Sequence, residues 1–173
     1  MNLLPGVDVP DLARRRGLMA MLALTSGLSA CDAAETAPDV AYTLLNGTVG
    51  RTSALRGQVV VVNFWATSCA PCVRAMPALV ATHLEFVGRG LQTLAVAMQY
   101  DAPASVSHFA QTRQLPFGVV IDHTGAVARA FGDVRVTPTT FVIDKRGAIA
   151  QRSVGESAGP HLQALLARLL EQA

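Results

Sequence analysis

Two cysteines stand three residues apart at the end of an apolar segment, in the stretch NFWATSCAPC that runs from Asn63 to Cys72. A pair with this spacing serves either as a redox dithiol or as half of a thiolate metal site. Disulfides that stabilise a fold normally close longer loops. The spacing of Cys69 and Cys72 therefore favours reactivity over a purely stabilising role.

The residues around this pair predict a strand followed by a helix. Gln58 precedes VVVVNFWA, a β-branched run that is typical of a central strand buried on both faces. Pro71 suits the first turn of the following helix, where a missing backbone N–H costs nothing. Apolar residues then recur three or four positions apart, which predicts one buried helical stripe. This stripe consists of Val73, Met76, Val80, Leu84 and Val87.

The predicted helix start makes the two thiols chemically different. A helix N-terminus carries partial positive charge and free N–H groups, so it stabilises a thiolate. Cys69 precedes the first turn, whereas Cys72 lies within it and is expected to face inward. We therefore expect Cys69 to attack a disulfide, and Cys72 to resolve the mixed disulfide by attacking Cys69.

The rest of the chain alternates between strand and helix patterns, which predicts one α/β domain. Asn46-Gly47 is typical of the turn of an N-terminal β-hairpin. The last two predicted strands form a second hairpin, so the predicted sheet is mixed but mostly parallel, with helices on both faces. The later elements are strands at 91–98, 117–122, 139–144 and 148–155, and helices at 104–115, 126–131 and 160–171.

The first residues predict export and attachment to a membrane. Three arginines at 14–16 precede an uncharged apolar run at 17–30. That run is shorter than the ~20 residues that span a bilayer, but it suits the core of an export signal. It closes on LSAC, which resembles the lipobox of bacterial lipoproteins. The resemblance implies cleavage before Cys31 and acylation of its thiol.

These features divide the chain into a signal peptide at 1–30, a tether at 31–39 and one domain at 40–173. Fourteen Lys and Arg against twelve Asp and Glu give a net charge of +2, which does not favour a nucleic-acid surface. Asp32, directly after the predicted lipidated cysteine, resembles the signal that retains lipoproteins in the inner membrane of enteric bacteria. We therefore expect a lipid-anchored protein on the periplasmic face of the inner membrane.

The segment VVVVNFWATSCAPCVRAMPAL resembles the active-site segment of membrane-tethered TlpA/ResA/CcmG-like thiol-disulfide oxidoreductases. YTLLNGTVGRTSALRGQ is similar to the N-terminal hairpin of that family, and VRVTPTTFVIDKRGAI to its cis-proline segment. Residues 104–122 match its insertion. The resemblance covers residues 40–171. It implies an α/β thioredoxin fold with an N-terminal β-hairpin, an inserted αβ unit and a mixed sheet flanked by helices.

The resemblance also implies a set of site residues. The dithiol is the catalytic pair, and in the family the cis-proline packs beside it while the preceding backbone pairs with the substrate peptide. Thr137 and Pro138 are therefore expected to contact substrate, with a cis bond between them. Trp65 and Pro71 are expected to shape the same substrate-binding site. No metal and no cofactor is implied.

Three positions depart from the family pattern. Many relatives have a second Trp directly before the first cysteine, where this chain has Ser68. ResA-like members have a Glu three residues after the second cysteine, where this chain has Ala75, and minimal thioredoxins have a buried Asp at the position of Asn63. The usual carboxylates that would take a proton from the buried thiol are thus missing. Either water or another group takes the proton, or exchange is slower near neutral pH.

The dipeptide between the cysteines favours a reductase. Ala70-Pro71 resembles the Gly-Pro of reducing members, whereas strong oxidants have a His that favours the thiolate and so the reduced form. The resemblance implies reduction of disulfides in exported proteins, such as apocytochrome c or the copper-site proteins of cytochrome oxidase. A DsbD/CcdA-type membrane electron donor would re-reduce the enzyme.

Three other functions compete. A copper-handling thioredoxin-fold chaperone would use the same thiols, but only two remain once Cys31 is acylated, and the four histidines are scattered and expected at the surface. A peroxiredoxin-like thiol peroxidase shares the hairpin, but that family has a Thr three residues before its reactive cysteine, where this chain has Ala66. A redox-inactive binding domain fits poorly with an intact dithiol.

Overall fold

Strands and helices alternate through residues 35–156 and 159–172, the part of the chain that the computed structural model describes. All of these residues belong to the compact unit Ala33–Ala173. The strands are β1 (Ala41–Thr43), β2 (Val49–Arg51), β3 (Val59–Trp65), β4 (Leu91–Ala97), β5 (Gly118–Ile121), β6 (Thr139–Ile143) and β7 (Ile149–Val154). The α-helices are α1 (Ala70–Phe86), α2 (Pro103–Thr112), α3 (Ala126–Ala130) and α4 (Pro160–Glu171).

The main sheet has five strands in the order β5-β4-β3-β6-β7. β3 pairs with β4, and β4 with β5, in parallel, whereas the β3–β6 and β6–β7 pairs are antiparallel. The sheet is therefore mixed, as predicted. The inserted unit of α2 and β5 supplies one edge, and the predicted final hairpin supplies the other.

β3 lies at the centre of this sheet and is buried along its whole length. Its alternate side chains enter two separate cores, because successive residues of a strand point to opposite faces. The core that contains Trp65 lies between the sheet and α1, α2 and α4. The core that contains Phe64 lies between the sheet, α3 and the segment around β1. The β-branched run thus forms the buried central strand that its sequence predicts.

The domain begins earlier than the predicted boundary at residue 40. The N–H of Ala37 donates to the carbonyl of Gly147 over 2.9 Å, and the N–H of Ile149 donates to the carbonyl of Glu35 over 2.7 Å. Residues 35–37 therefore pair with residues 147–149, where β7 begins, and Pro38 and Asp39 bond the segment around Thr52, so that these residues belong to the domain and not to the tether. Composition alone misled the prediction, because the bonds to Gly147 and Ile149 use backbone atoms, which every residue type carries.

The hairpin of β1 and β2 forms as predicted, with Gly47 at the turn in a left-handed conformation (φ 85°). The segment continues onto the edge of the main sheet, where Leu44 forms a bridge with Val120 of β5. The N–H of Leu45 donates to the carbonyl of Val119 over 2.9 Å. The hairpin thus covers part of the edge strand that the insertion creates.

The buried stripe of α1 differs from the predicted one and shares a single residue with it, Met76. Leu84 is 59% exposed and Val87 42% exposed. The real stripe starts at Cys72, one residue before Val73, which rotates the buried face by ~100° around the helix axis. The residues that α1 buries are Cys72, Met76, Leu79, Thr82, His83 and Phe86.

Two polar side chains explain why apolar spacing failed on this helix. The hydroxyl of Thr82 donates to the carbonyl of Ala78 over 2.9 Å, and Nδ1 of His83 lies 3.1 Å from Oγ1 of Thr93. A buried polar group is tolerated when it has such a partner. The expectation that His83 is a surface residue is wrong.

The predicted signal peptide and the lipidation site at Cys31 lie outside the described residues. Within residues 35–156 and 159–172, no helix combines the length and the apolarity needed to cross a membrane.

Candidate active site

The dithiol lies at the carboxyl end of β3, where the chain turns into α1. Cys69 is the N-cap residue of this helix, with extended backbone angles of φ −88° and ψ 96°, and Pro71 lies in the first turn. The N–H of Cys69 donates to the carbonyl of Ala66 over 3.1 Å, and the N–H of Val73 donates to the carbonyl of Cys69 over 3.0 Å. The two cysteines form a disulfide, so the site is in its oxidised form.

The two sulfur atoms have different surroundings. Cys72 is only 2% exposed and belongs to the core beneath α1, whereas Cys69 is partly exposed. The N–H of Cys72 donates to Sγ of Cys69 over 3.2 Å, in the position that a helix-capping side chain normally occupies. After reduction, a thiolate at Cys69 keeps this donor and faces the positive end of the helix. The geometry therefore fits attack by Cys69 and resolution by Cys72.

A buried carboxylate, which sequence reasoning missed, holds the turn before the dithiol. Asp101 is 6% exposed, and its two oxygens accept hydrogen bonds from the N–H and the hydroxyl of Thr67, over 2.5 and 2.6 Å. The signal for this contact was in the sequence. Asp101 follows the end of β4, which runs parallel to β3, and the carboxyl ends of parallel neighbours meet at one edge of the sheet.

The second motif lies against the dithiol. The Thr137–Pro138 peptide bond is cis, as predicted. Pro138 is buried and lines a small cavity together with Cys72, while Thr137 is partly exposed. The hydroxyl oxygen of Thr137 lies 3.4 Å from that of Tyr100, which follows β4. The fold thus brings three distant segments of the chain together around the disulfide.

The cavity beneath the disulfide has a volume of about 10 Å³. One ordered water needs roughly 10–15 Å³, so the cavity is close to the size of a single water molecule. Asn63 and Thr140 form part of its wall, and Nδ2 of Asn63 donates to Oγ1 of Thr140 over 2.9 Å. Among the described residues that line the cavity beside Cys72, the polar side chains carry an amide or a hydroxyl group, and none carries a carboxylate.

The structure corrects the expected position of Trp65. Its side chain has no accessible surface and packs against Phe109 of α2, with the ring centroids 5.0 Å apart. Trp65 therefore lies beneath the site and not on a surface that meets substrate, because the alternation of β3 directs it into the helical core. Pro71 is partly exposed beside the disulfide.

Exposed apolar side chains flank Thr137 on the surface. Tyr100 is 59% exposed and Val136 57% exposed. A groove of about 350 Å³ begins at Tyr100 and continues past Arg129 and Arg135. These side chains place an exposed apolar surface next to the cis-proline segment.

In the described part of the chain, no three His, Cys, Asp or Glu side chains cluster closely enough to hold a metal ion. A strand-to-helix junction with a partly exposed, helix-capping cysteine and a buried second cysteine defines instead a thiol-disulfide oxidoreductase. The attacking sulfur, the resolving sulfur and a cis-proline segment beside them are all in place for dithiol exchange.

Comparison with known proteins agrees with this class. Residues 33–152 match the AhpC/TSA family. The chain is 38% identical over 134 residues to the thiol-disulfide oxidoreductase ResA of Geobacillus kaustophilus, which covers 75% of this chain and 76% of that protein. A thioredoxin-family thiol:disulfide interchange protein from Chlorobium tepidum has a similar structure, with a TM-score of 0.72 and 25% identity, over 79% of this chain and 97% of that one.

This protein belongs to the AhpC/TSA family and, within it, is a TlpA/ResA/CcmG-like thiol-disulfide oxidoreductase with the thioredoxin fold. The predicted family and the predicted enzyme class are therefore confirmed.

Proposed function

We propose that this protein is a lipid-anchored periplasmic enzyme that reduces disulfides in exported proteins. The observation that carries the proposal is the asymmetry of the dithiol, in which the accessible sulfur of Cys69 accepts the N–H of Cys72 while the second sulfur is buried. An accessible thiolate starts exchange, and a shielded thiol completes it only after a mixed disulfide has formed.

The reaction begins with both thiols reduced. The Cys69 thiolate attacks one sulfur of a target disulfide, which forms a mixed disulfide and releases the other target sulfur as a thiolate. Cys72 then loses its proton and attacks Sγ of Cys69, which releases the second target sulfur and forms the Cys69–Cys72 disulfide seen in the structure. Two electrons pass from the dithiol to the target. None of the described residues that line the cavity beside Cys72 is a carboxylate, so we assign the role of proton acceptor to water.

The direction of transfer follows from the dipeptide between the cysteines. Pro71 offers no charge that would stabilise the thiolate further, so the reduced form is not favoured as it is in strong oxidants. The reduction potential should therefore lie nearer the thioredoxin value of about −270 mV than the DsbA value of about −120 mV.

The surface around Thr137 supports a protein substrate. Tyr100 and Val136 both expose apolar area close to Thr137, which is itself partly exposed. Apocytochrome c and the copper-site proteins of cytochrome oxidase are the substrates that the family resemblance suggests.

The location rests on the N-terminal sequence. The apolar run at 17–30 ends at Cys31, the cysteine of a lipobox-like motif. Acylation of Cys31 would hold the domain at the inner membrane, beside a DsbD/CcdA-type electron donor. A Cys31→Ser variant should no longer incorporate a labelled fatty acid, and equal labelling of Cys31→Ser and the wild type would contradict acylation of this thiol.

A glutathione redox titration tests the reductase assignment. The wild type should equilibrate near the thioredoxin range, and Pro71→His should shift the midpoint toward the DsbA range, because the imidazolium favours the thiolate. A wild-type midpoint already in the DsbA range would contradict the assignment.

The AhpC/TSA match raises a second candidate, a thiol peroxidase. Two observations argue against it. Ala66, at the position of the peroxidase threonine, is fully buried and carries no hydroxyl, and the hydroxyl of the neighbouring Thr67 is bonded to Asp101. A hydrogen peroxide turnover assay separates the two functions, and sustained turnover with a thiol reductant would favour the peroxidase.

A further inference from the structure

Buried carboxylates follow three strands of the main sheet. Asp101, Asp122 and Asp144 come after β4, β5 and β6, and each is at most 6% exposed. Asp122 accepts hydrogen bonds from the N–H groups of Val127 and Ala128 and so caps α3. Such a bond joins residues that are close in the chain, and its role is local.

Asp144 is also local, but Asp101 is not. Asp144 accepts from the N–H groups of Arg146 and Ala148 within its own turn. Asp101 instead bonds Thr67, which lies 34 positions earlier in the chain. It is thus the one member of this trio whose partner belongs to another segment, and that segment is the turn that carries the reactive cysteine.

Asp101 is itself anchored to the end of β3. Its N–H donates to the carbonyl of Met98 over 2.9 Å, and the N–H of Met98 donates to the carbonyl of Trp65 over 3.0 Å. The segment 98–101 therefore holds the chain at two points, at Trp65 by its backbone and at Thr67 by the carboxylate of Asp101. A carboxylate that accepts two donors in a buried place forms a strong, directional contact.

Two contacts hold the turn that carries Cys69, one on each side of it. Thr67 is two residues before Cys69, and Cys69 is tied on its other side to α1, where Val73 donates to its carbonyl. When the disulfide opens, the link between the two sulfurs is lost. The position of Sγ of Cys69 then depends on the backbone turn and on the hydrogen bond from the N–H of Cys72.

We propose that Asp101 is a positioning residue for dithiol exchange, which acts through Thr67 to keep the reduced sulfur of Cys69 within reach of the N–H of Cys72. The proposal rests on exchange at this dithiol and not on the direction of electron flow or the identity of the target. Its failure is therefore distinguishable from failure of the reductase assignment.

The alternative roles of Asp101 predict different results. If its negative charge acted directly on the sulfur, removal of that charge would make the thiolate easier to form. If Asp101 only stabilised the fold, its removal would lower stability and leave the thiol unchanged. If it positions the turn, its removal takes the sulfur away from its N–H donor and makes the thiolate harder to form.

Alkylation of Cys69 distinguishes these roles. The full chain with Cys72→Ser is reacted with iodoacetamide across the pH range, and the modified Cys69 peptide is quantified by mass spectrometry. Asp101→Asn removes the charge, Thr67→Val removes one hydrogen bond and keeps the charge, and Asp122→Asn is the matched control. Thr67→Val retains the shape of the side chain, so it tests the proposal even if Asp101→Asn fails to fold.

We expect Asp101→Asn and Thr67→Val each to slow alkylation at pH 7 by about threefold to tenfold and to move its midpoint to higher pH. Asp122→Asn should lower the melting temperature and leave the Cys69 profile unchanged. Faster alkylation in Asp101→Asn with no change in Thr67→Val would overturn the proposal in favour of a charge effect. Unchanged alkylation profiles in both variants would overturn the proposal and show that Asp101 only stabilises the fold.

Discussion

The backbone N–H of Cys72 donates to the sulfur of Cys69 over 3.2 Å. One residue thus provides both the hydrogen bond that favours the attacking thiolate and the thiol that later displaces it. The two functions use different atoms, so the hydrogen bond persists when the side chain of Cys72 is replaced. A substitution of the Cys72 side chain therefore blocks the second step of exchange and leaves the first step intact.

The exposed apolar surface beside Thr137 should matter for protein substrates. Replacing Tyr100 by Ser removes apolar contact area, so KM for a protein disulfide should rise about threefold to tenfold, while the rate with oxidised glutathione should stay constant. Leu84→Ser is the matched control, because Leu84 is equally exposed, at 59%, but lies near the far end of α1. Equal effects of the two substitutions would show that this surface does not bind the target.

A carboxylate at position 63 should accept the Cys72 proton more readily than water does. Asn63→Asp places it in the wall that also contains Cys72, so release of a pre-formed mixed disulfide near neutral pH should accelerate about tenfold or more. The melting temperature should fall, because a charge is buried. Thr140→Val serves as control, since it removes the partner of Asn63 without adding an acceptor. No acceleration in Asn63→Asp would mean that proton removal from Cys72 does not limit this step.

The buried ring of His83 should make stability depend on pH. Burial lowers the pKa of His83 below its ordinary value of 6.5, although a hydrogen bond to the backbone of Pro116 opposes the shift. Below pH 6.5 the imidazole of His83 therefore binds a proton more readily in the unfolded chain than in the folded one. Because protonation favours the unfolded chain, the free energy of unfolding falls as the pH drops below 6.5. Denaturant unfolding at several pH values measures this slope.

The matched variants for that experiment are His83→Gln and His123→Gln, since His123 is exposed. His83→Gln should flatten the slope below pH 6.5, and His123→Gln should leave it as in the wild type. Identical slopes in the wild type and His83→Gln would contradict the account.

Residues 35–39 should contribute to folding stability. A chain that begins at residue 41 lacks the Glu35 and Ala37 backbone bonds to the start of β7, and its free energy of unfolding should be lower by about 1–3 kcal/mol. A chain that begins at residue 35 is the control and should be as stable as longer soluble forms. Equal stability of the two truncated chains would support the predicted boundary between tether and domain at residue 40.

Short-range sequence patterns were enough to predict the arrangement of strands and helices in this protein. The β-branched run of β3, the Asn46-Gly47 turn and the alternation of strands and helices each follow from short-range rules, and the structure contains all three. The dithiol and the Thr137–Pro138 segment could be predicted because each is a contiguous motif. Their approach to one another follows from β3 and β6 being neighbours in the sheet.

The misplaced features depend on contacts between distant residues. Trp65 is buried because α2 packs over it, and His83 is buried because Thr93 of β4 meets it. Asp101 escaped notice because its partner Thr67 lies in another segment, and the contact can be predicted only once β4 has been placed beside β3. Spacing identifies which residues share a face of one element, but it does not tell what covers that face.

Trapping of a mixed disulfide tests the central claim most directly. The full-length Cys72→Ser variant, reduced and mixed with a membrane extract or with insulin, should accumulate a covalent complex through Cys69 that dithiothreitol dissolves. The matched variant, Cys69→Ser, should form none, because Cys72 is only 2% exposed. Complexes through Cys72 in Cys69→Ser, or none through Cys69 in Cys72→Ser, would contradict the assignment of Cys69 as the attacking sulfur.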